Sequence, residues 1–205
     1  MEHNNKEIMP KEITQSCWPF ELDTVHAHAW QDGVFTKKEC DKIIEYAKKK
    51  NLTKARVGPK LSLQKKIRDN SIFWIHANNE TQWIYERVVH SVISLNNQYF
   101  KFDIYGLIES LQFTNYKAPG QNYTKHVDRS HNIKIRKLSV SIQLSDPSEY
   151  EGGELLLHHY EKPDIASKKQ GTLCIFPSWT LHEVKPVTKG ERSSLVTWVT
   201  GKNFR

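Results

Sequence analysis

Cysteine and long apolar runs are both scarce in this sequence of 205 residues. Its three cysteines, Cys17, Cys40 and Cys174, are odd in number and far apart, so they form neither a CxxC pair nor a disulfide framework. No apolar run is long enough to cross a bilayer, and the polar N-terminus lacks the apolar core of a signal peptide. These absences predict a cytoplasmic protein in a reducing compartment, with no membrane partner.

Charge of one sign predominates only slightly. Lysine and arginine total 30 against 23 acidic residues, which gives a formal net charge of +7. The excess is spread along the chain, so it favours acidic partners but is weak support for nucleic-acid binding. With 38% hydrophobic residues and no repeat or low-complexity linker, the sequence fits one folded domain with a proper core.

Helix signals come first along the chain. Thr36 and Glu39 form a capping box, in which the threonine hydroxyl and the glutamate side chain satisfy free backbone N–H groups. The apolar residues behind it recur at helical spacing and form one stripe: Cys40, Ile43, Ile44 and Ala47. A second helix is predicted from Thr81 to about Asn96.

Beyond Ser110 the hydrophobic period changes from helical spacing to two, which is typical of strands. Strands are predicted at Ser110–Tyr116, Leu138–Leu144, Glu154–His158, Thr172–Phe176 and Leu195–Thr200. Helices followed by many short strands indicate an α+β protein, with helices packed on one side of a sandwich or barrel.

The strand at Leu138–Leu144 has an unusual second face. Its alternate residues are small and polar: Ser139, Ser141, Gln143 and Ser145. Such a row is typical of the lining of a polar cavity, and a bland solvent-exposed face is the equally open alternative.

His126 and Asp128 form an HxD pair. In an extended segment, side chains at i and i+2 point to the same side. An imidazole and a carboxylate so placed, with a distant second histidine, can make the facial triad of a non-haem iron site. An isolated HxD is a weak motif, so the third ligand must be found separately.

His182 is the best candidate for that ligand among ten histidines. It follows a strand end and a turn, and a new strand begins after it. His131, His158 and His159 are rivals, although His131 lies in a polar loop and the other two would face opposite ways on a strand.

Arg192, ten residues after His182, strengthens the assignment. A metal-bound 2-oxo acid carries a second carboxylate, and arginine can bind a buried carboxylate with two parallel hydrogen bonds. We expect the two residues to lie on adjacent strands joined by a turn at Lys189–Gly190. Taken alone, Arg192 reads as an ordinary surface charge.

Four runs in this order carry a family resemblance: Tyr116-KAPGQNYTKHV-Asp128, Arg136-KLS, Glu149-YEGGEL and Phe176-PSWTLHEVKPVTKGERSSLVT-Trp198. They resemble the prolyl-4-hydroxylase branch of the Fe(II)- and 2-oxoglutarate-dependent dioxygenases, especially bacterial PKHD-type hydroxylases. The resemblance implies a double-stranded β-helix (jelly-roll, cupin-like) core with supporting N-terminal helices. It implies a dioxygenase domain at residues 30–205 with a catalytic core at about 108–205, preceded by an extension and first strand at residues 1–29.

The resemblance also implies roles for individual residues and for cofactors. His126, Asp128 and His182 match the metal ligands, and Arg192 matches the residue that binds the far carboxylate of 2-oxoglutarate. Further cosubstrate-binding positions are matched by Tyr116, Ser139 and Trp198, and Gly152-Gly153 matches a glycine pair that we expect to form a tight turn. The cofactors so implied are Fe(II), 2-oxoglutarate, O2 and ascorbate, with succinate and CO2 as products.

The predicted function is hydroxylation of an unactivated C–H bond, in a prolyl or other side chain of a peptide or protein. A free amino acid or small metabolite is the alternative substrate, and a non-catalytic binding module is the alternative class. Nucleic acid is not expected, because Trp198 stands where AlkB-type demethylases carry a second arginine. The sequence leaves the oligomeric state open.

The basic segment Lys54–Arg68 contains Gly58-Pro59 and many lysines and arginines, with Asp69 as the nearest acidic residue. By resemblance it occupies the place of a mobile substrate lid. A solvated surface loop is an equally open interpretation.

Overall fold

The computed structural model describes residues 25–56, 62–129 and 135–203. Two helices lie at Lys37–Lys48 (α1) and Gln82–Leu95 (α2), and a π-helical turn at Asn96–Phe100 extends the second. The strands are Ala29–Gln31 (β1), Thr53–Lys54 (β2), Ser71–Ile75 (β3), Ile104–Leu107 (β4), Leu111–Lys117 (β5), Tyr123–His126 (β6), Leu138–Gln143 (β7), Tyr150–Gly152 (β8), Leu155–His158 (β9), Asp164–Ile165 (β10), Leu173–Pro177 (β11), Leu181–Val184 (β12) and Val187–Gly201 (β13).

Both helices occur where the sequence predicts them. Thr36 caps α1: its hydroxyl accepts the Glu39 amide, and the Glu39 carboxylate accepts the Thr36 amide at 2.7 Å, which confirms the capping box. The stripe behind the cap buries Cys40, Ile43 and Ala47. No helix in the described ranges is long and apolar enough to span a membrane.

The strands form two antiparallel sheets. The major sheet has the order β1-β11-β7-β13-β5-β3-β2, with β4 and β8 paired to opposite ends of the long strand β13. The minor sheet has the order β10-β9-β12-β6. This arrangement, with α1 and α2 covering one face of the major sheet, confirms the predicted α+β class and β-helix core.

The two faces of the major sheet differ in composition. Its helix-facing side chains are mainly apolar and almost fully buried, and they include Leu111, Phe113, Leu138, Val140, Ile142, Leu195 and Val199. On the opposite face the same three central strands carry mainly polar residues that line a cavity, among them Gln112, Thr114, Ser139, Ser141, Arg192 and Ser194. The predicted polar lining of β7 is therefore confirmed, although Gln143 lines a smaller adjacent hollow.

One predicted turn is wrong. Lys189 and Gly190 lie inside β13, where they pair with β8, and the chain does not reverse there. Residues 181–187 pair in one antiparallel register with residues 152–158, so β12 runs on into β13 without a turn. Gly190 has a φ of +67°, and a Cβ there would lie 2.1 Å from the Glu149 carbonyl oxygen. The glycine thus permits an irregular strand pairing with a register shift, a local signal that resembles a turn in sequence.

Candidate active site

A cavity of about 440 Å³ opens between the two sheets. It is lined by the polar face of β5, β7 and β13 on one side and by β6 and β12 on the other. Its walls contain all seven predicted site residues: Tyr116, His126, Asp128, Ser139, His182, Arg192 and Trp198. The structure therefore brings all the predicted site residues to one cavity.

His126 and His182 face each other across two paired strands. Their Cα atoms are register partners in the β6–β12 pair, and Asp128 follows two residues after His126. One Asp128 carboxylate oxygen lies 3.7 Å from His126 Nε2, and the other lies 3.5 Å from His182 Nε2. The three side chains thus present two imidazole nitrogens and a carboxylate to a common point, as a three-ligand metal site requires.

Both imidazole rings are held by backbone carbonyls. His126 Nδ1 lies 2.7 Å from the Thr124 carbonyl oxygen, and His182 Nδ1 lies 2.9 Å from that of Thr180. With the Nδ1–H donating to these oxygens, each Nε2 carries a free lone pair directed at the site. Burial lowers the pKa of His126 to about 4, so that ring is neutral and able to bind a cation at physiological pH.

The Asp128 carboxylate is ionised and fixed in place. Burial alone would raise its pKa, but the neighbouring imidazoles of His182 and His126 hold the pKa of Asp128 below its usual range. Ser139 Oγ donates to Asp128 Oδ2 at 2.7 Å and also lies 2.9 Å from Ser178 Oγ. The Ser139 hydroxyl thus holds the Asp128 carboxylate, and its predicted contact with the cosubstrate stays a prediction.

Arg192 lies deep in the cavity wall, only 4% exposed. Its Cζ is 5.8 Å from the centre of the Tyr116 ring, its register partner on β5. Arg192 Nη1 is buried and has no hydrogen-bond partner. A buried guanidinium nitrogen without an acceptor is costly, so this one is arranged for an anionic ligand.

The glycine pair makes room for that arginine. Gly152 and Gly153 both have positive φ values, of 75° and 65°, and lie where β8 leads into β9. The tight turn predicted for them is wrong, because residues 152–158 pair in one continuous register with residues 181–187. A Cβ on Gly153 would lie 3.0 Å from Arg192 Cδ and 2.9 Å from Val187 Cγ2. The absence of a side chain at Gly153 therefore leaves room for the Arg192 side chain.

Trp198 forms part of the same cavity wall as the candidate metal ligands. The Arg136 guanidinium carbon lies 3.8 Å from the centre of the Trp198 ring, and Arg136 Nε donates to a Glu109 carboxylate oxygen at 3.0 Å. The tryptophan is thus held by a stacked arginine that is itself held by an ion pair.

Several cavity residues were not identified from the sequence. Tyr123, interpreted there as a core residue, stacks on the His126 ring with centroids 3.5 Å apart and planes 17° apart. The Arg68 guanidinium packs against the Tyr123 ring, with its Cζ 4.7 Å from the ring centre. Arg68 also donates a hydrogen bond to Gln112 Oε1 at 2.7 Å. For Tyr123 the available sequence signal was its position three residues before His126 in an extended run. Arg68 is distant in sequence and reaches the site through its β-bridge to Tyr123.

The rival histidines lie elsewhere. His131 is outside the described residues. His158 Nε2 lies 3.1 Å from a Glu183 carboxylate oxygen, away from Asp128. His159 lies in a separate group with His28 and Asp164.

The segment Lys54–Arg68 borders the cavity at both of its ends. Arg56 is exposed at the cavity wall, and Arg68 forms an isolated β-bridge with Tyr123 of β6. Lys54 pairs with Asp69 at 3.0 Å. Gly58-Pro59 and Lys60 lie outside the described residues, so the predicted lid motion stays a prediction.

Comparison with known proteins agrees with this geometry. A model of the 2OG-Fe(II) oxygenase superfamily matches residues 111–200. A PKHD-type hydroxylase of Prochlorococcus marinus strain MIT 9211 is 42% identical over 81 residues, which are 39% of this chain and 37% of that protein. Another, from strain NATL2A, is 34% identical over 113 residues, 55% of this chain and 50% of that protein. The chain therefore spans half or less of the length of these curated relatives.

Two solved structures show the same fold. A Pseudomonas putida prolyl-4-hydroxylase superimposes with a TM-score of 0.69 at 21% identity, covering 87% of this chain and 94% of that one. A prolyl hydroxylase from Trichoplax adhaerens, in complex with a peptide fragment of the hypoxia-inducible factor oxygen degradation domain, gives 0.72 at 19% identity, covering 85% and 84%. The predicted resemblance and fold are confirmed.

Proposed function

We propose that this chain, which matches the 2OG-Fe(II) oxygenase superfamily over residues 111–200, is an Fe(II)- and 2-oxoglutarate-dependent dioxygenase that hydroxylates an unactivated C–H bond. The observation that carries the proposal is one cavity that holds both a three-ligand metal site and a buried arginine nitrogen with no partner. We assign the catalytic domain to residues 30–205, with its core at about 108–205.

His126, Asp128 and His182 would hold the Fe(II). Two imidazoles and a carboxylate are the donors of the facial triad, which leaves the remaining coordination positions open. When bound, the metal would supply oxygen activation coupled to decarboxylation of 2-oxoglutarate, with succinate and CO2 as products. The chain's own contribution is to fix the ligands: the carbonyls of Thr124 and Thr180 orient the rings.

Arg192 would bind the far carboxylate of 2-oxoglutarate. Its buried guanidinium can donate two charge-assisted hydrogen bonds, and the Tyr116 ring beside it gives the pocket a hydroxyl donor and an apolar wall. Trp198 would border the bound cosubstrate from the same face of β13. We reassign Ser139 to positioning of Asp128, because its hydroxyl already donates to that carboxylate. Ascorbate stays a prediction.

We favour a peptide or protein segment, with prolyl the first choice, as the substrate. The cavity lies within the range of about 300–1,000 Å³ found for small-molecule sites, so it can hold a cosubstrate and one inserted side chain. The exposed Arg56 and the half-buried Arg68 at its border would favour an acidic sequence around that side chain. The solved relative from Trichoplax adhaerens, with its bound peptide, supports this choice.

A free amino acid or small metabolite is the alternative substrate, since the same volume also suits one. A non-catalytic binding module is the weaker alternative class. The cavity combines a complete set of three metal ligands with a buried arginine nitrogen that has no partner, and this combination suits a metal-dependent enzyme with an anionic cosubstrate better than a binding module.

The test is succinate release by the purified chain with Fe(II) and 2-oxoglutarate. Proline-containing peptides with acidic and basic flanks, host proteins and free amino acids are supplied separately, and products are located by mass spectrometry. We expect substrate-stimulated succinate release with a gain of one oxygen atom in an acidic-flanked peptide. Stimulation by a free amino acid alone would establish the alternative, and no release under any condition, with iron bound, would overturn the oxygenase assignment.

A further inference from the structure

A second cluster of metal-binding side chains lies away from the cavity, where the edges of the two sheets meet. His28 precedes β1, the edge strand of the major sheet, and Asp164 begins β10, the edge strand of the minor sheet. His159 follows β9, next to β10. The triad uses β6 and β12, and β6 is the opposite edge of the minor sheet, so the two clusters share no residue and no edge.

The geometry of this edge cluster resembles that of the triad. One ligand atom from each of His28, His159 and Asp164 lies within 4.8 Å of the others, which also holds for the triad. His28 Nδ1 is 3.7 Å from Asp164 Oδ2, the same separation as His126 Nε2 and Asp128 Oδ1. In a tetrahedral zinc site with bonds near 2.0–2.1 Å, ligand atoms lie about 3.3 Å apart, so only small side-chain movements are needed.

Two nitrogens of the edge cluster lack partners. His28 Nδ1 and His159 Nε2 are both buried from solvent and have no hydrogen-bond partner. The two rings are nearly parallel, with planes 14° apart and centroids 5.7 Å apart, and Trp30 stacks on the outer side of His28. Buried imidazole nitrogens without partners are unfavourable, and a metal ion is the ligand that would satisfy both at once.

We propose that His28, His159 and Asp164 bind a divalent transition-metal ion that joins the edge of the major sheet to the edge of the minor sheet. Two imidazoles and one carboxylate suit zinc-like ions and are poor ligands for Ca²⁺ or Mg²⁺, which require oxygen. Three protein ligands leave a coordination position for water. The bound ion holds β1 against the β9–β10 hairpin.

The test uses the full chain with the triad removed. In a His126→Ala and His182→Ala background, we measure Zn²⁺ binding by calorimetry and metal content after gel filtration. We expect one Zn²⁺ per chain, a melting temperature raised by about 5–10 °C at Zn²⁺ a hundredfold above its Kd, and loss of both effects on adding His28→Ala and His159→Ala. A chain that binds no Zn²⁺ without the triad overturns the proposal.

Matched controls separate this site from adventitious surface binding. His158→Ala removes the adjacent histidine, which contacts Glu183 instead, and His90→Ala removes an exposed one on α2. Neither should change the stoichiometry, and loss of zinc in either control counts against the assignment. Because His28→Ala could disturb β1, His28→Gln and Asp164→Asn provide milder versions that must also lower the affinity at least tenfold, with circular dichroism unchanged. Retention of wild-type affinity by both milder variants would also overturn it.

Discussion

The two faces of the major sheet are built from the same strands but differ in role: one packs against the helices and the other lines the cavity. On β5, Phe113 faces the helices and is fully buried among apolar side chains, whereas its neighbours Gln112 and Thr114 line the cavity. On β13, Leu195 faces the helices while Arg192 and Ser194 face the cavity. The alternation of a strand thus lets one segment supply both the core and the chemistry.

This difference predicts which substitutions should lower stability and which should lower activity. Helix-facing side chains stabilise the fold through burial, so their loss should lower the free energy of unfolding and spare the site. The cavity-facing set is polar and held by hydrogen bonds such as Thr114 Oγ1 to Ser194 Oγ at 2.7 Å, so its loss should chiefly remove function. Substitutions on neighbouring residues of one strand can separate the two.

The largest expected effect is on the cavity face. His182→Ala should abolish succinate release, because two remaining ligands hold Fe(II) poorly, and should shift the melting temperature by no more than about 4 °C. Activity assays and thermal unfolding measured on the same sample check both halves. Full activity in His182→Ala would show that the triad is wrongly assigned.

A substitution on the helix-facing side of the sheet should lower stability and leave activity unchanged. Phe113→Ala removes a fully buried aromatic ring from the helix-facing core, and we expect it to lower the free energy of unfolding by about 3–5 kcal/mol. Urea unfolding measures the loss, and the exposed Tyr105→Ala on β4 serves as the control. Succinate release per folded molecule should be unchanged. A lower rate per folded molecule in this variant would contradict the claim that helix-facing residues affect stability alone.

Arg192→Ala should specifically raise the requirement for 2-oxoglutarate. A charge-assisted bond to the far carboxylate is worth about 1.5–3 kcal/mol, which corresponds to an increase of about tenfold to a hundredfold in the apparent KM. Arg192→Lys should be intermediate because it keeps the charge without the planar fork. Titration of 2-oxoglutarate at saturating Fe(II) is the measurement, and an unchanged KM would remove Arg192 from the site.

A smaller effect, on Fe(II) affinity, is expected from Ser139, which contacts the proposed metal ligand Asp128. Ser139→Ala removes the hydroxyl that donates to Asp128 and should weaken Fe(II) binding about tenfold, the lower end of losses from outer-shell partners. Ser141→Ala, on the next cavity-facing position of β7, is the control. Equal Fe(II) affinities in the two variants would return Ser139 to its predicted role as a cosubstrate contact.

The smallest effect should come from the basic segment Lys54–Arg68. Reversing the exposed charges with Lys65→Glu and Lys66→Glu should weaken use of an acidic peptide a few-fold and leave uncoupled 2-oxoglutarate turnover unchanged. Added salt should do the same to the unaltered chain, since exposed charges are screened over about 8 Å at physiological ionic strength. Reversal of Lys49 and Lys50, near the end of α1, is the control, and equal effects in both pairs would exclude a substrate-binding role for the segment.

Local periodicity made much of this arrangement predictable. His126 and Asp128 share a side because extended residues at i and i+2 must, and the capping box at Thr36 has only local requirements. The polar face of β7 was also visible as a row of small residues. Such features need no knowledge of distant parts of the chain.

What the sequence could not provide depends on pairing between distant strands. The stacking of Tyr123 on His126 and the contact of Ser139 with Asp128 follow from the way the sheets close over one another. His28 and His159 have no motif spacing and meet only because two sheet edges meet. The Lys189–Gly190 turn was mispredicted because an irregular strand pairing uses the same residue types as a reversal.

The length of β13 has a consequence for how the molecule is made. Four strands that precede it in the sequence, β4, β5, β7 and β8, all pair with it, and it also carries Arg192. At a synthesis rate of about 5–20 residues per second, those earlier strands leave the ribosome seconds before their shared neighbour and expose unpaired edges in the meantime. Nascent chains should therefore depend on chaperones until residues 187–201 emerge, and the cavity lined by Arg192 should form in the same step as the sheet.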